Sequence, residues 1–97
     1  MKKWTQNEAI AYECACETIN DLMAILSGQI ADESVKPHPD AVRLEKLHTE
    51  RLRLARERNG LRVDDHEHVD RICTEYGAIV RTWRANHQAV TGKSGRK

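Results

Sequence analysis

The chain has 97 residues, a formal net charge of +1 and 32% charged side chains, with five glycines, two prolines and no phenylalanine. A chain of this length makes one domain and buries roughly 65% of its unfolded surface, enough for a single core without a metal or disulfide staple. Ala, Glu, Leu and Arg dominate while β-branched residues are few outside helical patterns, so strands are not expected and the fold class is all-α.

Charge is unevenly placed. Residues 1–35 set two lysines against six carboxylates, a net of −4. Residues 36–63 set eight basic against four acidic groups, a net of +4. Such a split favours pairing between helices as readily as an external ligand. The cysteines, Cys14, Cys16 and Cys73, are odd in number and fit no disulfide scaffold. Reduced thiols in a cytoplasmic protein are the simpler expectation. Met1-Lys2-Lys3 begins like a signal peptide, but Trp4-Thr5-Gln6-Asn7-Glu8 is no apolar segment, and no apolar run approaches membrane-spanning length.

The first helix is predicted over 6–33. Thr5-Gln6-Asn7-Glu8 has the form of a capping box. Tyr12, Cys16, Ile19, Leu22, Met23, Leu26 and Ile30 then trace one face, with Gly28 a weak point costing ~1 kcal/mol relative to Ala. Lys36-Pro37-His38-Pro39 ends it.

A second helix is predicted over 39–58, with Leu44, Leu47, Leu52, Leu54 and Ala55 as a broad apolar side. Lys46/Glu50 and Arg53/Glu57 are spaced as i,i+4 ion pairs. Asn59-Gly60 supplies a left-handed stop. The rival reading of that dipeptide as a hairpin turn is disfavoured by helix formers on both flanks.

The third helix is predicted over 65–90, with Asp64 as N-cap and Glu67 reaching back to it. Val69, Ile72, Cys73, Tyr76, Ile79, Val80, Trp83 and Val90 form its apolar stripe. Residues 91–97 read as a basic, disordered tail. Short connections make the three helices antiparallel neighbours in an elongated, coiled-coil-like bundle over residues 1–90, completed by homodimerisation.

No motif carries catalysis, and the chain is expected to be non-enzymatic and without a cofactor. Glu45-Lys46-Leu47-His48 and Asp65-His66-Glu67-His68 resemble halves of a di-metal bundle site, but lie on the order of 10 Å apart along the axis. A metal-binding bundle is therefore the weakest alternative. Gly92-Lys93-Ser94 lacks the glycine and the strand of a phosphate loop.

Function is expected on the charged faces. Glu13, Glu17 and Asp21 repeat every four residues as an acidic ridge opposite the core stripe, flanked by Ile10, Cys14 and Ile25. Arg51 and Arg58 project among the leucines of the second helix and need a carboxylate or a route to water. Ile10, Glu13, Glu17, Asp21, Ile25, Arg51 and Arg58 are thus the candidate partner-binding residues of a small protein-interaction module. The alternative is a nucleic-acid-binding regulator using the second helix's arginines and the basic tail.

Overall fold

The structure is a computed structural model that describes the backbone of residues 6–96 and the side chains of residues 6–86. It is all-α: α1 (Gln6–Ser34), α2 (Ala41–Gly60), and a third rod made of α3 (His66–Arg71), a π-helical turn (Ile72–Tyr76) and α4 (Gly77–Arg96). Ile72 and Gly77 keep right-handed helical dihedrals, so the third rod is continuous through the π turn. No strand occurs among the described residues.

The connections show why each helix stops where it does. The Asp40 carboxylate caps α2 by accepting from the Arg43 amide at 3.1 Å. Its chain enters α2 from Pro39, so the helix begins two residues later than the prolines suggest. At the other end no residue adopts positive φ. Gly60 stays helical and Leu61 turns extended, its amide still bonded to the Arg58 carbonyl. The left-handed stop expected at Asn59-Gly60 is therefore replaced by an extended one, because Leu61 is drawn into the core at 6% exposure. Asp65, not Asp64, caps α3, accepting from the His68 amide at 3.2 Å.

α1 is the central helix. Both α2 and the third rod pack on it, while no described Cα of α2 comes within 8 Å of one in the third rod. The three helices are therefore not mutual neighbours: α2 and α4 splay apart on either side of α1. The molecule measures 55 × 36 × 17 Å, with a radius of gyration of 16.5 Å, against about 13 Å for a compact chain of this length.

The core lies along the two seams of α1. Ile19, Leu54 and Ile72, one from each rod, are the largest side chains withdrawn from water. Ala15, Leu22, Leu61, Val69 and Val80 complete it. Ala15 sits at 0% exposure, and its small side chain, with that of Ala11, lets the π turn lie close against α1. The sequence stripe on α1 is right for Ile19 and Leu22, and Tyr12, Cys16, Met23 and Leu26 pack partly against the core. In α2 only Leu54 is buried, and Leu52 is 52% exposed.

The π turn explains the departure in the third rod. It winds one extra residue into the helix, which turns every later side chain relative to a constant 3.6-residue period. Gly77 and Val80 consequently face inward, while Ile79 is left 54% exposed. Val90 lies outside the described side chains, as does Thr5 of the expected capping box. α4 continues to Arg96, past the end expected near residue 90; the tail contains no proline to force a stop.

Gly28 keeps helical geometry, and a Cβ there would meet nothing within 4 Å. Gly28→Ala is expected to stabilise the protein by about 0.5–1 kcal/mol, read as a higher urea midpoint at unchanged slope. Ile72→Ala is expected to cost about 2–5 kcal/mol, because its side chain is 1% exposed at the seam between α1 and the third rod.

Candidate functional site

The splay of α2 and α4 leaves a groove floored by α1. At about 100° per residue, Leu22, Ile25, Leu26 and Gln29 share the face of α1 that lies between its two seams. Leu54 and Arg53 of α2 form one wall, and Tyr76, Ile79 and Trp83 the other, enclosing about 240 Å³. Beyond Gln29 and Trp83 the groove widens into a hollow of about 640 Å³ that reaches Glu33, Lys36 and Arg43. Its floor is apolar and only partly covered, and Ile79 stands on its rim.

The narrow end of the groove is tied by a polar bridge centred on Glu57. Its carboxylate accepts from the Tyr76 hydroxyl at 2.7 Å and pairs with His68 Nε2 at 2.9 Å. Arg53 Nη1 lies 3.4 Å away on the same carboxylate and donates to the Tyr76 oxygen at 3.3 Å. Arg53 also grips Glu50. Four side chains thus join α2 to the third rod where their backbones do not meet. Burial pushes the Glu57 carboxyl upward, but the hydrogen bonds from His68 and Tyr76 and the charges of His68 and Arg53 outweigh it and hold it below the usual carboxylate value. Burial, reinforced by the bond to Glu57, holds the Tyr76 hydroxyl above the ordinary tyrosine value.

The wide end is tied by Glu33, the only buried charged side chain among the described residues, at 4% exposure. It accepts from Lys36 Nζ at 2.9 Å and from the Asp40 amide at 2.9 Å, and pairs with Arg43 Nε at 3.3 Å. Lys36 first, then the Asp40 amide, hold its carboxyl below the usual value. One carboxylate therefore closes the α1–α2 connection, a role its place at the end of a helical pattern does not announce.

The opposite side of the molecule carries the acidic ridge. Glu13 and Glu17 are exposed and make no ion pair among the described residues, and Ile10 beside them is 56% exposed. Asp21 leaves the ridge electrostatically: Arg84 of α4 takes it at 3.1 Å. Ile25, expected beside the ridge, belongs instead to the groove floor and packs on the core. Arg51 meets no carboxylate among the described residues; its Nε donates to Ser27 Oγ at 2.8 Å across the α1–α2 seam. Arg58 is exposed and near enough to Tyr12 to act on it through its charge. The seven expected residues thus separate: Ile10, Glu13 and Glu17 remain together, while Asp21, Ile25, Arg51 and Arg58 do not join them.

The other sequence signals resolve similarly. The expected Arg53/Glu57 pair forms, but Glu50 is taken by Arg53 in place of Lys46. His66 of the Asp65-His66-Glu67-His68 segment reaches Glu8 at the start of α1. No group of three metal-ligating side chains occurs among the described residues. No helix among them is long and apolar enough to cross a membrane. Comparison with protein-family models, with curated proteins and with solved structures finds no match.

Tyr76→Phe is expected to cost about 1 kcal/mol by removing one hydrogen bond from Glu57, with no change in helix content. Because the folded pKa values of Glu57 and Glu33 lie below their unfolded ones, their contribution is complete above the ordinary carboxylate pKa of about 4.3 and is lost as pH falls through the folded values. Urea midpoints measured from pH 7 downward should fall in that acid range, and Glu57→Gln should flatten the fall.

Proposed function

We propose that this chain is a small non-enzymatic module that works by protein–protein interaction, self-associating through the groove and presenting the ridge of Ile10, Glu13 and Glu17 to a basic partner. The observation that carries this reading is the contrast between the two sides of α1. One side is an incompletely covered apolar groove; the other is an acidic ridge with an exposed isoleucine and, among the described residues, no counter-charge at Glu13 or Glu17.

A second copy is the occupant that the surface area favours. The chain exposes 7254 Å², against about 5,700 Å² for a compact protein of its mass. The difference exceeds the roughly 800 Å² that each partner of a stable complex buries. Two copies meeting groove to groove would cover Ile79, Trp83 and Leu26 and leave both acidic ridges outward. Such a pairing is isologous, the commonest form of self-association.

The arginines of α2 support this reading over nucleic-acid binding. Arg43 and Arg53 are neutralised by Glu33 and by Glu50 with Glu57, and Arg51 is turned to Ser27, which breaks up the basic stripe of α2. A cytoplasmic site of action fits the three free thiols.

Two variants separate the two surfaces. Ile79→Glu should weaken self-association at least tenfold in sedimentation velocity while leaving the circular dichroism spectrum unchanged. The double variant Glu13→Arg, Glu17→Arg should leave self-association intact and abolish capture of a Lys/Arg-rich probe peptide. Equal self-association of Ile79→Glu and wild type would remove the groove from the account, and undiminished peptide capture would remove the ridge.

A further inference from the structure

A pocket of about 520 Å³ opens where α1 and the third rod begin, and it shares no lining residue with the groove. Its size falls within the roughly 300–1,000 Å³ of ordinary ligand sites. The floor is apolar: Ala11 of α1, Val63 of the connection, and Val69 and Cys73 of the third rod. The Cys73 thiol donates to the Ala11 carbonyl at 3.6 Å. Burial above all pushes it up to about 12, so it lines the floor as a neutral group.

The rim is acidic. Glu67 and Asp70 line it, both exposed and without an ion pair among the described residues. His66 is the one basic side chain lining the pocket, and it is paired with Glu8. The wall also runs on into the ridge. Asn7 lines the pocket, Ile10 follows three residues later, Glu13 three after that and Glu17 four further on, spacings that make neighbours on a helix surface. From Asn7 to Glu17 is about 15 Å along the axis of α1, a span suited to a peptide and too long for one small molecule. We propose that this pocket is the anchor site of the ridge: it takes one large apolar side chain of a basic peptide segment whose lysines and arginines lie over Glu67, Asp70, Glu13 and Glu17.

The proposal rests on the ridge reading and supplies what that reading lacks. Exposed ion pairs contribute little to affinity, so Glu13 and Glu17 alone hold a partner weakly. An apolar side chain withdrawn from water into a pocket supplies affinity, while the carboxylates set the sign of the partner and speed its encounter. The same carboxylates repel nucleic-acid phosphates and anionic lipid, which leaves a cationic segment as the matching occupant.

The test uses the full chain and two labelled Lys/Arg-rich probe peptides, one with a central tryptophan and one with serine in its place. Fluorescence anisotropy should show the tryptophan peptide binding at least tenfold tighter. In the protein with labelled valine methyls, its ring current should shift the resonances of Val63 and Val69 and leave those of Val35 and Val42 in place. The double variant Glu67→Gln, Asp70→Asn should weaken both peptides at least threefold with an unchanged circular dichroism spectrum. Equal affinity for the two peptides, unshifted Val63 and Val69 methyls in the saturated complex, or undiminished binding by the rim variant would each overturn the proposal. The ridge is read separately. If Glu13→Arg, Glu17→Arg leaves both affinities unchanged while the tryptophan preference and the Val63 and Val69 shifts persist, the ridge reading fails and the pocket stands. If that variant abolishes binding of both peptides and the wild type shows no tryptophan preference, the ridge stands and the pocket fails.

Discussion

The whole architecture depends on α1 packing on both sides. Ile19, Leu54 and Ile72 come from three separate rods and are the large side chains with no exposure to speak of. Each seam is built from α1, and neither of the flanking rods supports the other through its backbone. A helix with two seams presents its remaining surface as two strips, one between the seams and one outside them. The strip between is the groove floor; the strip outside is the acidic ridge. Both candidate surfaces are therefore consequences of one packing choice.

Side-chain chemistry holds α2 at both of its ends, to the third rod at one and to the end of α1 at the other. Glu57 joins Arg53, His68 and Tyr76 at one end, and Glu33 gathers Lys36, Asp40 and Arg43 at the other. A buried carboxylate is costly unless its oxygens are satisfied. Glu33 has three donors and Glu57 has donors from both flanking rods, so each instead fixes geometry. Glu57 fixes α2 against the third rod at the narrow end of the groove, and Glu33 fixes the entry of α2 against α1 at the wide end.

The helices were legible in the sequence because their apolar periods are long and their boundaries carry Pro, Asp and Gly. Ile19, Leu22, Leu54, Val69, Ile72 and Val80 follow from those periods alone. What was not legible depends on tertiary partners. The π turn has no signature in Ile72-Cys73-Thr74-Glu75-Tyr76, yet it shifts the phase of everything after it and exposes Ile79. The Gly60 stop was misread because Leu61 is pulled into the core, which a local turn rule cannot anticipate. Of the candidate residues, Ile10, Glu13 and Glu17 share one exposed side of α1, as a charge period on one helix predicts. Asp21, Ile25, Arg51 and Arg58 have their surroundings set by Arg84, the groove, Ser27 and Tyr12 on other elements, which no single-helix period reveals. Glu57 is marked by its i,i+4 spacing to Arg53; the role of Glu33 needs the fold.

In the proposed function a second copy covers the open side of α1. Multi-angle light scattering of the wild-type protein on a size-exclusion column, at micromolar concentration and neutral pH under reducing conditions, reads this out. Pairing groove to groove gives a particle of twice the chain mass. A particle of single-chain mass across the accessible concentration range would contradict it.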